Sequence, residues 1–276
     1  MKIFSLAVAF AGLLSAANAV SAVAADSVVA EGEKSYGYKE NDASMYGPSQ
    51  WAAQYPTSCA GKRQSPINIA SKTSLTKGSR KQPLQFAGSC SSYKMTQTED
   101  SYKGTVQGGS CTLAANGASY SMSQFHIHAP SEHTVNGKVY DGEVHFVHSN
   151  ADGSKLLVVG AFLEKKSKGK TDPWVASVFN AANRVNSTAS VDVSLESYSK
   201  VLLSAASKGR EFNYPGSLTT PTCSEIVDWW VLEQPLQVSS ADFVKFQANL
   251  KKLHATDNGR NARPTQPLNG RTITVY

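Results

Sequence analysis

Five of the six histidines in this 276-residue chain fall between residues 124 and 148. Only one residue separates His126 from His128, and His145 follows later in the same stretch. Three neutral imidazoles with no thiolate nearby are the ligand set of a catalytic zinc ion, which keeps a fourth position open. The alternative is a set of ordinary polar side chains, because His-x-His on a strand does not by itself define a metal site.

Alternation of residue type indicates that two strands carry these histidines. Polar and apolar residues alternate in Gln124–His128 and in Glu143–Val147, so the histidines share a face of each strand. Residues i and i+2 lie about 6.6 Å apart on such a face. Asn136 and Gly137 form a turn signal between the strands, and antiparallel pairing would bring His145 beside the first two histidines.

Two hydrogen-bond acceptors stand where they could orient these imidazoles. Gln124 precedes His126 by two residues, and Glu143 precedes His145 by two, so each shares a face with its histidine. A zinc-bound imidazole needs an acceptor on its other ring nitrogen, because that bond fixes the tautomer and the ring orientation. We therefore predict one zinc ion bound by His126, His128 and His145.

The N-terminus has the composition of a secretory signal. Lys2 precedes an apolar run from Ile3 to Leu14, and small residues favour cleavage after Ala19, with a second small-residue site a few residues later. The run is too short to span a bilayer. We predict export to an extracellular, cell-surface, periplasmic or endomembrane-lumen location, with no membrane span. The predicted signal peptide covers 1–19, and the length of the remaining chain suits one large domain or two small ones.

The charge gives little support to nucleic-acid binding. The formal net charge is +6, but the basic residues are dispersed apart from one tight cluster between Lys165 and Lys170. A solvated loop is the simpler interpretation of that cluster. An oligomer stays possible.

Four cysteines in an exported chain predict two disulfides. Cys90 and Cys111 could link a local antiparallel pair, and Cys59 with Cys223 would then close a much longer loop. Free thiols are the alternative, although none belongs to a Cys-x-x-Cys motif. The tripeptide that begins at Asn186 is an N-glycosylation acceptor, usable where the secretory route attaches glycans.

Most of the chain has the pattern of strands. Three examples are Lys155–Leu163, Ile226–Leu232 and Thr272–Tyr276. Two helices are predicted as well. Thr-Asp-Pro at 171–173 caps one of them, and either Ser239 or Ser240 caps the other.

Several ordered motifs resemble those of the alpha-class carbonic anhydrases. They are Gln-Phe-His-Ile-His at 124–128, Ser-Glu-His-Thr-Val at 131–135, Glu-Val-His at 143–145, Gln-Ser-Pro-Ile-Asn-Ile at 64–69, Tyr-Pro-Gly-Ser-Leu-Thr-Thr-Pro at 214–221 and Asn-Ala-Arg-Pro-Thr-Gln-Pro-Leu at 261–268. The short connection at 129–131 is similar to that of bacterial, plant and algal members. Cys59 and Cys223 fall where secreted members carry a disulfide. The resemblance implies an N-terminal segment over 20–35 and one catalytic domain over 36–276. The domain would be mainly β, with a central, largely antiparallel twisted sheet of about ten strands and a few peripheral helices.

The resemblance also implies a reaction. Zinc on three imidazoles lowers the pKa of bound water to about 7, the value known for carbonic anhydrase, and the hydroxide attacks CO2 to give bicarbonate and a proton. Thr219 would accept a hydrogen bond from the hydroxide and donate its own to Glu132, because a carboxylate only accepts. CO2 and bicarbonate are the expected partners, and sulfonamides and small anions the expected inhibitors. An esterase side activity and a non-catalytic binding protein of the same family are the alternatives.

Substrate would sit against an apolar wall. Val147 shares a face with Glu143 and His145, which places it at the site. By resemblance the pocket also includes Val158, Leu218, Thr220 and Trp229. For Val158 and Trp229, plain core packing is the alternative.

The remaining polar residues receive supporting roles from the resemblance. His133 would be a structural histidine bonded near Tyr214, and His128 would be oriented by a backbone carbonyl near Asn261. His148 alternates onto the opposite strand face, which favours a core or surface role.

The chain departs from fast family members in its route for the released proton. The segment Ser101–Gln107, where those members carry a shuttle histidine, has none, and His254 is expected at the surface. The proton would leave through water, buffer or Tyr38.

Overall fold

A computed structural model of the chain describes residues 34–70, 75–79 and 83–276. The predicted signal peptide and nearly all of the predicted N-terminal segment lie outside these residues. No helix in the described ranges combines the length and the apolar character needed to cross a membrane.

Strands dominate the described part of the chain. They are β1 (Ser35–Tyr36), β2 (Met45–Tyr46), β3 (Asn68–Ile69), β4 (Leu75–Lys77), β5 (Gln85–Gln97), β6 (Tyr102–Ala115), β7 (Ala118–His128), β8 (Thr134–Val135), β9 (Gly142–Ser149), β10 (Leu156–Lys166), β11 (Val191–Ser194), β12 (Glu211–Gly216), β13 (Val227–Ser239) and β14 (Ile273–Val275). The helices are α1 (Trp51–Gln54), α2 (Pro173–Ala182), α3 (Tyr198–Ala206) and α4 (Ser240–Leu250).

Ten of these strands form one mixed sheet in the order β11-β5-β6-β7-β9-β10-β13-β12-β14-β4. Its pairs are antiparallel except β10 with β13 and β14 with β4. The predicted mainly β fold, with a largely antiparallel sheet of about ten strands and few helices, is confirmed.

The two faces of the sheet bury different clusters. On one face Trp174 and Phe179 of α2, with Phe243 and Phe246 of α4, pack in the larger core. The smaller cluster on the other face contains Val147, Val158, Phe212 and Trp229. Strand β9 is buried along almost its whole length because both of its faces are covered. Each large apolar side chain buried in this way contributes about 1.5–3 kcal/mol.

Both predicted helices are present, with the predicted type of cap. Asp172 accepts hydrogen bonds from the N–H groups of Trp174 (3.0 Å) and Val175 (3.4 Å), which stabilises the first turn of α2. Of the two serines left open for the second helix, Ser239 is the cap of α4 and accepts from the N–H of Asp242 at 3.1 Å.

Helix α3 was not predicted. Its cap residue, Ser197, makes no side-chain capping bond, and serines interrupt the apolar pattern of the helix. Tyr198, Val201 and Leu202 are buried against the sheet. Tertiary packing therefore stabilises a segment whose local signals are weak.

The predicted turn at Asn136 and Gly137 has positive φ at both residues, 51° and 78°. Val135 and Lys138 exchange backbone hydrogen bonds across it. The turn follows β8, however, so it lies within a longer connection and does not itself join the two histidine strands.

Both predicted disulfides are formed, between Cys59 and Cys223 and between Cys90 and Cys111. The first spans a sequence separation of 164 residues and the second links β5 to β6. Cross-links of this kind restrict the unfolded chain and stabilise the fold by about 2–5 kcal/mol each.

Glu211 is a buried carboxyl group at the start of β12. Its Oε2 atom has no hydrogen-bond partner among the described residues. Burial disfavours the charged form and raises the pKa of Glu211 to about 7. A carboxyl group with a raised pKa in the folded state destabilises that state as the pH rises from the unfolded pKa of about 4.3 towards 7.

We expect Glu211→Gln to raise the free energy of unfolding at about pH 8 and to change it little near about pH 3, well below both pKa values, where the carboxyl group is protonated in both states. The gain is on the order of 1 kcal/mol, because partial solvent contact screens the carboxylate. Urea denaturation at both pH values measures it, with exposed Glu196→Gln as the control. An equal change at both pH values would contradict the assignment.

Candidate metal centre

The structure brings together the three histidines that the sequence singled out. The available ring nitrogens of His126, His128 and His145 lie within 4.8 Å of one another. His126 and His145 are direct partners in the antiparallel pairing of β7 with β9. Residues paired in this way point to the same side of the sheet, so strand register alone places the two imidazoles together.

In each imidazole one nitrogen is hydrogen-bonded to a protein acceptor, and the other nitrogen points towards the centre of the group. The bonds are His126 Nδ1 to the side-chain oxygen of Gln124 (2.8 Å), His128 Nδ1 to the backbone oxygen of Asn261 (2.6 Å) and His145 Nε2 to the carboxylate of Glu143 (3.0 Å). Each acceptor requires the proton on the bonded nitrogen, so the free nitrogen presents a lone pair.

The arrangement fits a zinc ion. His128 Nε2 and Glu132 Oε2 are buried polar atoms without a hydrogen-bond partner among the described residues, and both face the centre of the group. Burial, followed by the neighbouring histidines, lowers the pKa of His126 well below its ordinary value, and burial also lowers the pKa of His145. Neutral imidazoles are the form that binds a metal.

Glu143 accepts four hydrogen bonds in a fully buried position. Its partners are the backbone N–H groups of Glu132 (3.0 Å) and His133 (2.9 Å) and the rings of His133 (2.8 Å) and His145 (3.0 Å). Burial alone would raise the pKa of Glu143, but its interactions with His133 and His145 outweigh that effect and place the pKa well below its ordinary range. The carboxylate is therefore the charged form, able to orient His145.

Sequence reasoning missed Gly160, which makes room for that carboxylate. Gly160 pairs with His145 across β9 and β10. A Cβ atom at this position would lie 2.5 Å from Glu143 Oε1, closer than van der Waals contact allows. The available signal was a glycine inside an otherwise β-branched and apolar strand, which often marks the close approach of another group.

The ring of His133 is hydrogen-bonded at both nitrogens. Its Nδ1 contacts Glu143, and its Nε2 lies 2.6 Å from the hydroxyl of Tyr214. That hydroxyl also bonds to Ser65 Oγ at 2.9 Å. Since both ring nitrogens are engaged, neither is available to a metal.

Glu132 differs from the expected arrangement. Its Oε1 accepts the backbone N–H of Arg263 at 2.8 Å, an interaction that the sequence did not reveal. Its Oε2 has no partner, so the hydrogen bond from Thr219 implied by the resemblance is not formed. The physical reason is the direction of that oxygen, which lies 3.6 Å from Nε2 of His128 and 3.9 Å from Nδ1 of His145.

Three of the five predicted pocket residues lie in one apolar cluster that contacts His145 through Trp229, and the other two lie on the loop that carries Thr219. Register places Val147 opposite both Gln124 and Val158. The ring of Trp229 lies 4.8 Å from that of His145, and its Nε1 donates a hydrogen bond to the backbone oxygen of Ser217. Val147, Val158 and Trp229 are buried in one apolar cluster, against which Leu218 packs, while Thr220 follows Thr219 in the same loop.

Tyr38 is poorly suited to carry a proton. Its hydroxyl is buried without a hydrogen-bond partner among the described residues. Burial raises its pKa well above the ordinary value, which keeps the hydroxyl protonated.

The other histidines lie away from the metal centre. His148 is buried on the opposite sheet face, where its ring bonds to the hydroxyl of Tyr198 at 2.9 Å, and burial lowers its pKa to about 4. His254 is exposed, 3.3 Å from Ser44 Oγ. Asn186 is also exposed, which leaves the glycosylation acceptor accessible.

Comparison with known proteins assigns the family. Residues 46–276 match the family model described as eukaryotic-type carbonic anhydrase. The carbonic anhydrase of Pectobacterium carotovorum is 33% identical over 258 residues, covering 92% of this chain and 93% of that protein. Human carbonic anhydrase 7 is 33% identical over 272 residues, covering 88% and 97%.

A solved structure gives the same result. The alpha-carbonic anhydrase of Thermovibrio ammonificans, in complex with the inhibitor sulfanilamide, superimposes with a TM-score of 0.71 at 31% identity, covering 88% of this chain and all of that one. The fold and the three-histidine site define a zinc-dependent class of enzyme. The chain belongs to the alpha-class, or eukaryotic-type, carbonic anhydrase family.

We expect Gly160→Ala to lower the affinity for zinc by about 10- to 100-fold, because the added methyl group displaces the carboxylate that orients His145. Competition with a chromogenic chelator measures the affinity. Gly108→Ala is the control, since a Cβ atom there meets nothing closer than 4.0 Å. Unchanged zinc affinity in the Gly160 variant would show that Glu143 does not depend on this space.

Proposed function

We propose that this protein catalyses the reversible hydration of carbon dioxide to bicarbonate and a proton at one zinc ion bound by His126, His128 and His145. The observation that supports this proposal best is the convergence of three imidazole nitrogens whose ring partners are already bonded to protein acceptors. Membership of a family of carbonic anhydrases supports the same reaction.

Zinc in this setting supplies a water molecule that ionises near neutral pH, with a pKa of about 7 as in carbonic anhydrase generally. The protein then has to orient the nucleophile. Glu132 Oε2 is an acceptor with a free lone pair next to the ligand nitrogens. We propose that rotation of the Thr219 hydroxyl towards this oxygen gives the Thr219 oxygen the role of acceptor for the nucleophile.

The apolar cluster around Val147 receives the carbon dioxide. A small uncharged molecule needs a dry surface rather than hydrogen-bond donors. Val147, Val158 and Trp229 provide this surface within reach of His145. Thr220 and Leu218 close it from the loop side in this proposal.

The proton leaves through water and buffer in our proposal. The described residues around the site include no histidine other than the three ligands and the doubly bonded His133, and Tyr38 is buried. The two disulfides support export to an oxidising compartment. Inhibition by sulfonamides, an esterase side activity of the same zinc site and glycosylation at Asn186 belong to the proposal as well.

Stopped-flow measurement of carbon dioxide hydration tests this function. We expect activity in the zinc-loaded protein, its loss with a chelator or an aryl sulfonamide, and a loss of at least about a hundredfold in His128→Ala, which removes a ligand. Exposed His254→Ala is the matched control and retains the rate. A zinc-loaded protein with no activity would refute the enzyme and leave a binding role for this fold.

We expect Val147→Tyr to suppress carbon dioxide hydration by about tenfold or more while zinc stays bound, because the larger ring fills the apolar surface beside His145. The hydration rate and the zinc content are measured on the same sample. Val139→Tyr, at a position that is 54% exposed, controls for the added ring. An unchanged rate with full zinc content would place the carbon dioxide site elsewhere.

A further inference from the structure

A lysine lies on the strand next to the histidine strand, on the face that carries the metal centre. Lys103 of β6 pairs directly with His126 of β7. Side chains of directly paired residues point to the same side of the sheet, with Cβ atoms about 5 Å apart. The neighbouring residues confirm the direction, because Gly104 faces Phe125 in the core on the other side. Lys103 therefore projects from the sheet on the face of the metal centre, one strand beyond His126, and we call this edge of the site its rim.

The charge of this ammonium is not neutralised by a neighbour. Lys103 forms no salt bridge among the residues that the structure describes, and its side chain is only half-buried. A nearby acid in the sequence, Asp100, instead accepts from the hydroxyls of Thr98 (2.8 Å) and Tyr36 (3.4 Å).

This charge lies close to the proposed metal ligands, because Lys103 is the direct strand partner of His126. An anion bound at the centre would experience the same charge as an attraction. The half-buried rim strengthens that attraction, because less water screens the two charges.

We propose that Lys103 makes the rim of this metal centre selective for anionic ligands, so that molecules carrying a carboxylate bind better than neutral molecules of the same shape. The inference rests on the proposed function, since the ligands that it sorts are those that bind the zinc ion. The charge does not change the affinity for a neutral substrate such as carbon dioxide. It raises the affinity for the bicarbonate product and for acids that combine a zinc-binding group with a carboxylate.

The expected size of the selection follows from Coulomb's law. Two unit charges about 8 Å apart, in a partly solvated cleft, change a dissociation constant by about 3- to 10-fold. Removal of the Lys103 charge should abolish this roughly 3- to 10-fold preference for the anionic ligand. Reversal of the charge should change the ratio of dissociation constants by roughly the square of the same factor. Salt at about 0.5 M should reduce all of these differences, because it screens partly exposed charges over a few ångströms.

Two probes isolate the effect in the zinc-loaded protein: benzenesulfonamide and 4-carboxybenzenesulfonamide. Both bind through the same sulfonamide group, so the ratio of their dissociation constants reports on the carboxylate alone. Isothermal titration calorimetry measures the ratio at low and at high salt. The variants are Lys103→Met, Lys103→Glu and Lys103→Arg. Lys245→Glu is the matched control, because it makes the same charge change at an exposed position of α4, on the other side of the sheet.

We expect the preference for the carboxylate to fall about 3- to 10-fold in Lys103→Met, to fall further in Lys103→Glu and to persist in Lys103→Arg and Lys245→Glu. A ratio that stays constant in Lys103→Glu, or that changes equally in Lys245→Glu, overturns the role of Lys103 while leaving the zinc site intact. If neither probe binds the zinc-loaded parent protein, the proposed function fails and this inference fails with it.

Discussion

Four N–H groups converge on the buried carboxylate of Glu143, two from the backbone of the 131–133 loop and two from imidazoles. A buried carboxylate without such partners would cost several kcal/mol, so this convergence is a condition for the fold as well as for the site. The same oxygen atoms orient His145 and fix the loop that carries Glu132. The carboxylate of Glu143 therefore fixes both the orientation of His145 and the position of the neighbouring acceptor, Glu132.

The strand register of the sheet aligns the other parts of the site. Direct pairing of His126 with His145, and of His145 with Gly160, aligns two ligands and the space for Glu143 in one row across three strands. Strands with both faces covered cannot slip by one residue without exposing their apolar set and reversing every side chain. Packing of the two apolar clusters thus protects the register of the metal ligands.

The parts of the structure that could be predicted are those written in local patterns. Two-residue alternation located the histidine strands, and the spacing of Gln124 and Glu143 identified two acceptors. The cap at Asp172 located α2. Helix α3 could not be predicted in this way, because its stability comes from burial of Tyr198 and its neighbours rather than from a cap.

Contacts between segments that are distant in the sequence could not be predicted either. Gly160 has meaning only once β10 lies beside Glu143, which is a property of the assembled sheet. The N–H of Arg263 reaches Glu132 from the far end of the chain, and no spacing rule connects the two. The direction of Glu132 Oε2 depends on the same assembly, so the family pattern supplied a hydrogen bond from Thr219 that the structure does not form.

The residues proposed to bind zinc and those proposed to orient the nucleophile lie on different kinds of secondary structure. The proposed metal ligands lie on strands, whereas Glu132 and Thr219 lie on loops, which need separate restraints to keep their positions. Glu132 is restrained by Glu143 and by the backbone of Arg263.

The Thr219 loop is restrained through the Cys59–Cys223 disulfide and through Gln64. Gln64 donates to the backbone oxygen of Cys223 at 3.2 Å and accepts from the guanidinium of Arg263 at 2.9 Å. One buried amide therefore connects the Thr219 loop to Arg263, whose backbone N–H in turn holds Glu132. Loss of the disulfide would loosen the Thr219 loop first, because the strands that bind the metal depend on register and packing rather than on this cross-link.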